Sequence, residues 1–200
     1  MGIGRRGFLV QASAATAATV MADAPNVIAQ PKFQWRMSTA WPKQLDVLQG
    51  LAQRLATVVE EMSGGRFKIE VFPGGQIMQA FECFEATSKG TIEAFMGTAS
   101  YWPLPPADRD PALQWFMSIP FGMDPQGMAS WYYQGDGRKL MEETYAQYDV
   151  VPRMGPAFAP QMGGWFKKKI NTLGDYKGLR MRIAGLGGMV VAKAGGTTVV

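Results

Sequence analysis

Lys32-Phe33-Gln34-Trp35-Arg36-Met37 alternates polar and apolar residues, and Arg66-Phe67-Lys68-Ile69-Glu70-Val71-Phe72 does so again. A period of two marks a β-strand, and the polar positions of the second segment leave one face at least partly wet. Between the two, Leu45, Leu48, Leu51, Leu55, Val58 or Val59, and Met62 recur at helical spacing. That pattern predicts an amphipathic helix, ending at Ser63-Gly64-Gly65 where glycine suits a left-handed cap. Pro73-Gly74-Gly75-Gln76 then forms a turn, Ile77 to Lys89 reads as a helix, and Gly90 closes it. Ile92-Glu93-Ala94-Phe95-Met96 reads as a short buried strand. Strand, helix, strand, helix, strand in this order predicts an α/β domain with a largely parallel sheet.

Further along, the pattern loosens. Tyr101-Trp102-Pro103-Leu104-Pro105-Pro106 is a proline-rich loop with two aromatics, and Gln114 to Ile119 leads into Pro120-Phe121-Gly122. Met128 to Tyr148 is helical with a break at Gly135-Asp136-Gly137. Val150 to Met154 begins a new region, and Gln161 to Lys168 reads as a strand. Asn171 to Gly178 is a polar turn into the strand Leu179-Arg180-Met181-Arg182-Ile183, which feeds Gly185-Leu186-Gly187-Gly188 and a short helix to Ala194. Residues 30–150 are expected to form a first α/β lobe and 151–200 the start of a second. The chain stops at Thr197-Thr198-Val199-Val200, inside an expected strand, so the sequence reads as incomplete and the second lobe as lacking much of its sheet.

In the other direction, the first 29 residues read as an address. Arg5-Arg6 precedes a short stretch rich in alanine and threonine, which matches a twin-arginine export signal. Val27-Ile28-Ala29 places small residues where a signal peptidase needs them, so cleavage is expected after Ala29; a site after Ala24 also fits. The apolar run is too short for a membrane span. The expected location is the periplasm.

Composition removes whole classes of chemistry. The 200 residues contain no histidine and one cysteine, Cys83. Ser-His-Asp and Cys-His catalysis, His/Cys zinc sites and CxxC redox pairs are thereby excluded within this chain. Any metal would be a hard cation held by oxygens. Cys83 reads as a small buried apolar side chain. The formal charge is +4, with its basic residues scattered apart from Lys167-Lys168-Lys169. Nucleic acid is not an expected partner, because backbone binding needs a concentrated basic stripe.

A few residues carry chemistry. Glu82 and Glu85 lie at (i, i+3), the spacing of a paired-carboxylate site but also of an ordinary solvated helix face. Gly185-Leu186-Gly187-Gly188 follows a strand, but Val190 stands where a dinucleotide fingerprint needs glycine or alanine. A helix N-terminus offering backbone N–H groups to an anion suits that turn better. Arg182, just before it, can grip a carboxylate through two parallel hydrogen bonds, or pair with an acid on the surface. Gln161, beside Gly163-Gly164, can donate to a ligand oxygen or offer its carbonyl to a cation. Trp41, Tyr101 and Trp102 lie in loops after strands, where they can line a cleft or simply pack.

These residues fall in segments that resemble the solute-binding proteins of tripartite ATP-independent periplasmic (TRAP) transporters, particularly the α-keto-acid-binding branch. The carriers are Ser38-Thr39-Ala40-Trp41-Pro42, Phe72-Pro73-Gly74-Gly75-Gln76, Ala86 through Ala94, Pro160-Gln161-Met162-Gly163-Gly164-Trp165-Phe166 and Lys177-Gly178-Leu179-Arg180-Met181-Arg182-Ile183. The resemblance implies a periplasmic-binding-protein-like fold, two α/β lobes with a ligand cleft between them, the second incomplete in this chain. It implies that Arg182 clamps the substrate carboxylate, with Arg180 its outward neighbour. Gln161 would contact substrate and help to ligate a bound cation, sodium or calcium, while Tyr101 lines the pocket with Trp41 nearby. The branch draws its remaining cation ligands and an aromatic wall from sequence that would follow Val200. The implied function is a receptor, not an enzyme and without a catalytic cofactor, that hands a small monocarboxylate such as pyruvate to TRAP membrane subunits. A homodimer is compatible with it. Two alternatives stay open on the sequence: an exported enzyme of unknown chemistry, and a sensory binding protein for another organic anion.

Overall fold

The computed structural model describes residues 32–102, 111–117, 119–157 and 161–199. The expected leader at 1–29, the prolines of Pro103-Leu104-Pro105-Pro106 and the Ala159-Pro160 segment lie outside the described residues. Ten regular elements run through the rest: β1 (Phe33–Thr39), α1 (Asp46–Met62), β2 (Phe67–Phe72), α2 (Cys83–Ser88), β3 (Ala94–Met96), α3 (Pro125–Gln134), α4 (Gly137–Ala146), β4 (Arg180–Arg182), α5 (Gly185–Lys193) and β5 (Thr197–Val199). Short 3-10 turns occupy Ala99–Tyr101, Pro111–Gln114 and Leu173–Tyr176. None of the helices among the described residues is long and apolar enough to cross a membrane.

The first sheet has the order β2-β1-β3, and both pairings are parallel. Phe33 lies beside Phe67, Trp35 beside Ile69 and Met37 beside Val71, so these six side chains share one face of the sheet. Lys68 and Glu70 alternate out to the wet face, as expected. β4 and β5 form a second, two-stranded parallel sheet. The fold is therefore mixed α/β with parallel sheets, as the order of elements predicts.

Three local expectations are corrected. The leucine stripe of α1 is not its buried stripe: Ala52 and Ala56 are buried, whereas Leu51, Leu55 and Met62 are exposed. Small side chains let a helix approach closely, so the alanine pair, one turn apart, marks the inner face. The second helix begins at Cys83 rather than Ile77. Before it, Gly75 N–H bonds to Met78 O, Gln76 N–H to Pro73 O and Gln79 N–H to the Glu82 carboxylate, so turn bonds use the backbone first. Gln161 to Lys168 is not a strand. No backbone bond joins it to β4 or β5 among the described residues, and a strand exists only by its ladder.

Two interactions fasten the first sheet and its cover. Arg36 and Glu93 meet across β1 and the start of β3: Nη2 donates to Oε1 at 2.8 Å, Nε to Oε2 at 3.1 Å, and the Arg36 backbone N–H to Oε2 at 2.7 Å. The carboxylate thus serves β1 as an acceptor one residue before β3 begins. These bonds to the Arg36 guanidinium and backbone hold the Glu93 carboxyl down at about 2. The second interaction lies in the core of Phe84, Ala99, Trp102, Leu113 and Tyr145. Each large aromatic there contributes on the order of 1.5–3 kcal/mol by leaving water. The Tyr145 hydroxyl accepts from Trp102 Nε1 and donates to Leu113 O at 2.6 Å, so three buried polar groups satisfy one another. Burial pushes the Tyr145 phenol up to about 12. Cys83 is buried, as expected, with its thiol 3.5 Å from the Ser38 hydroxyl.

Tyr145→Phe should cost about 1–3 kcal/mol in a urea titration at neutral pH, since Trp102 Nε1 and Leu113 O lose a buried partner. Its raised phenol favours the folded state fully below pH 10, and this contribution is lost as pH climbs toward 12. The wild type should therefore weaken over that range more steeply than Tyr145→Phe. The Glu93 carboxyl is depressed, so its contribution is present above its ordinary range and is lost as pH falls toward 2. Urea titrations at pH 5 and 2.5 should show a smaller acid loss for Glu93→Gln than for the wild type.

Candidate functional site

A parallel sheet gathers the carboxyl ends of its strands at one edge, and ligands of open α/β sheets bind there. Three loops leave that edge: Ala40-Trp41 after β1, Pro73-Gly74-Gly75 after β2, and Gly97 through Trp102 after β3. Gly74 lets the second loop approach the first closely. A Cβ there would lie 3.0 Å from Thr39 O and 3.2 Å from Trp41 N, and its own N–H bonds to Trp41 O at 2.8 Å.

The third loop meets the end of β4. The Arg182 guanidinium carbon lies 5.8 Å from the centroid of the Tyr101 ring, within cation–π range. Phe81 also packs on Tyr101, with ring centroids 5.1 Å apart. Arg180 and Arg182 share one face of β4 because strand side chains alternate, with Met181 opposite. Arg180 thus lies on the same face of the strand as Arg182, not on the opposite one. Position separates the two, since Arg182 is the last residue of the strand and stands at Tyr101. Among the described residues no carboxylate pairs with Arg182, so its fork is open to an anion. Arg36 is the contrast: its guanidinium is spent on Glu93 and on Thr91 O.

The structure places the four expected site residues differently. Tyr101 and Arg182 are brought together. Trp41 lies at the same sheet edge but is buried, 6% exposed, with its carbonyl held by the Thr39 hydroxyl and Gly74 N–H. Gln161 is exposed, and its amide has no hydrogen-bond partner among the described residues. No hydrogen bond or ring contact joins Trp41 or Gln161 to Arg182 among the described residues. A hard cation takes about six to eight oxygen ligands. Gln161 carries one neutral carbonyl oxygen of that kind, and no group of three or more histidine, cysteine, aspartate or glutamate side chains gathers among the described residues.

Two contributors escaped the sequence reading. Phe81 packs against the Tyr101 ring. Gln114 is fully buried; its Nε2 donates to Trp102 O at 2.6 Å, and its Oε1 accepts from Leu186 N–H at 2.8 Å. The signal was present in Ala112-Leu113-Gln114-Trp115-Phe116-Met117, where one amide interrupts an apolar run. A polar group in such a run is usually buried and bonded. The Gly185 turn is corrected by the same contact: Leu186 N–H, expected to face an anion, is already taken by Gln114.

Comparison with known proteins bears on this geometry. Residues 37–199 match the family of bacterial extracellular solute-binding proteins, family 7. A monocarboxylate 2-oxoacid-binding periplasmic protein of Nostoc sp. is 39% identical over 197 residues, which is 96% of this chain and 53% of the relative. A TRAP transporter solute-binding protein of Bordetella bronchiseptica, solved with copurified calcium and picolinate, matches with a TM-score of 0.77 and 34% identity over 85% of this chain and 49% of its own. A TRAP periplasmic solute-binding protein of Pseudoalteromonas atlantica, with bound sodium and pyruvate, matches with a TM-score of 0.75 and 35% identity over 84% of this chain and 50% of its own. This chain thus spans about half the length of these relatives. The family is one of solute-binding proteins. With its fold and most of its length matched, the chain belongs to the bacterial extracellular solute-binding proteins of family 7, as TRAP receptors do.

Proposed function

We propose that this protein is a periplasmic receptor for a small monocarboxylate, a 2-oxo acid such as pyruvate, which it delivers to TRAP membrane subunits. The observation that carries the reading is Arg182: a guanidinium at the end of a strand, resting against Tyr101, with no acid pairing with it among the described residues. A carboxylate suits this group because two parallel N–H···O bonds match its planar fork. Tyr101 forms an aromatic wall beside the anion, and Trp41 supports the same sheet edge. Gln161 contributes its amide to the ligand and one oxygen to a sodium or calcium ion. Nothing in this arrangement calls for a nucleophile or a proton carrier, which favours binding over catalysis.

The relatives support the substrate class. The Nostoc protein is named for monocarboxylate 2-oxoacids, and the Pseudoalteromonas protein holds pyruvate and sodium. In this reading residues 30–150 build one lobe and 151–200 begin the other, with the ligand between them. Residues 1–29 direct export by the twin-arginine route, and two receptors associate as a homodimer.

Calorimetric titration of pyruvate into the complete gene product, with and without sodium, tests the proposal. Saturable binding that weakens without sodium is the expected result. Arg182→Lys should weaken it about 30-fold, on the order of 2 kcal/mol, with the fold intact, because a point charge replaces a fork. Gln161→Ala should reduce affinity and sodium dependence together. No heat from folded, ligand-free protein in either buffer would remove pyruvate as the ligand, and unchanged affinity in Arg182→Lys would remove Arg182 as the anchor.

A further inference from the structure

Gln114 joins the two chain segments that carry the pocket residues. Its Nε2 binds the carbonyl of Trp102, the residue after Tyr101. Its Oε1 binds the N–H of Leu186, in the first turn of α5, four residues after Arg182. Both ends of one fully buried amide are used, one toward each segment. Gly185 leaves the space that the amide occupies. Gly185 has φ +62°, and a Cβ there would overlap Gln114 Oε1.

We propose that Gln114 is a positioning residue for carboxylate recognition, an amide strut that sets Tyr101 and Arg182 at their working separation. The inference rests on the reading of Arg182 as the carboxylate anchor. A bidentate clamp must be held to about half an ångström to keep both bonds. β4 is only three residues long and cannot supply that precision alone. The chemistry of the strut is specific to glutamine. Glutamate would keep the bond from Leu186 N–H but set an oxygen against Trp102 O. Asparagine keeps the amide but is one methylene short of spanning both partners.

The test uses the complete gene product with pyruvate and sodium as the probe. Gln114→Glu should weaken pyruvate binding on the order of 10-fold in protein shown to be folded, yet by less than about 2-fold when Tyr101→Leu is already present, because coupled residues are not additive. Fully additive losses, or unchanged affinity in Gln114→Glu, would overturn the proposal. A second measurement needs no ligand. In wild type, Arg182→Lys should shift the Tyr101 ring resonances in carbon-13-tyrosine-labelled protein; in Gln114→Glu or Gln114→Asn that response should be lost. A response that persists in either folded variant would overturn the strut. If the wild type binds no carboxylate, the receptor reading fails, while the ring resonances still decide whether Gln114 fixes the pair.

Discussion

Parallel pairing is the constraint on which the rest of this structure depends. Because β1 runs parallel to both of its neighbours, each strand must be followed by a return over the sheet, and all three carboxyl ends lie on one edge. Trp41, the Pro73-Gly74-Gly75 turn and Tyr101 reach that edge from three separate parts of the chain. Gly74 shows how tightly the returns pack there, since a single Cβ would press into the β1 backbone. The edge where these three loops gather follows from the direction of the strands before any side chain is chosen for it.

Side-chain polar groups then tie the loop after β3 to the helices around it. Tyr145 and Gln114 do this in the same manner, each donating one hydrogen bond to and accepting another from backbone or indole groups. Tyr145 fastens α4 to Trp102 and to Leu113, and Gln114, next in the chain to Leu113, carries the connection on to α5. An apolar core alone would tolerate sliding at this seam, because burial is non-directional. Hydrogen bonds between buried groups are not, so they fix which groups meet there.

The two strand arginines illustrate how context assigns a role to one residue type. Arg36 lies in the middle of β1, where Glu93 completes its fork and also accepts from its backbone, making a structural pair. Arg182 ends β4 with an aromatic ring beside it. Equal charge and equal secondary structure leave one guanidinium paired and the other without an acid among the described residues, because only the first has a built-in carboxylate.

The strands β1 and β2, the helix between them, its glycine cap and the β4–α5–β5 succession were legible in the sequence because period, capping and turn residues act over a few neighbours. Arg182 was legible as a candidate anchor, the role proposed for it, through its place before the glycine turn and through the resemblance of its segment. The sequence did not reveal that Ala52 and Ala56, not the leucines, face the sheet, because which stripe is buried depends on what the helix packs against. It also misjudged Gln161 to Lys168, where strand propensity finds no partner among the described residues. The strut of Gln114 could be suspected from one amide in an apolar run, but its two partners lie 12 and 72 residues away. Local sequence determined which segments are regular and which residues could bind an anion. Only tertiary structure decided which of them meet, because contacts between distant segments depend on the packing of the whole chain, not on any window of it.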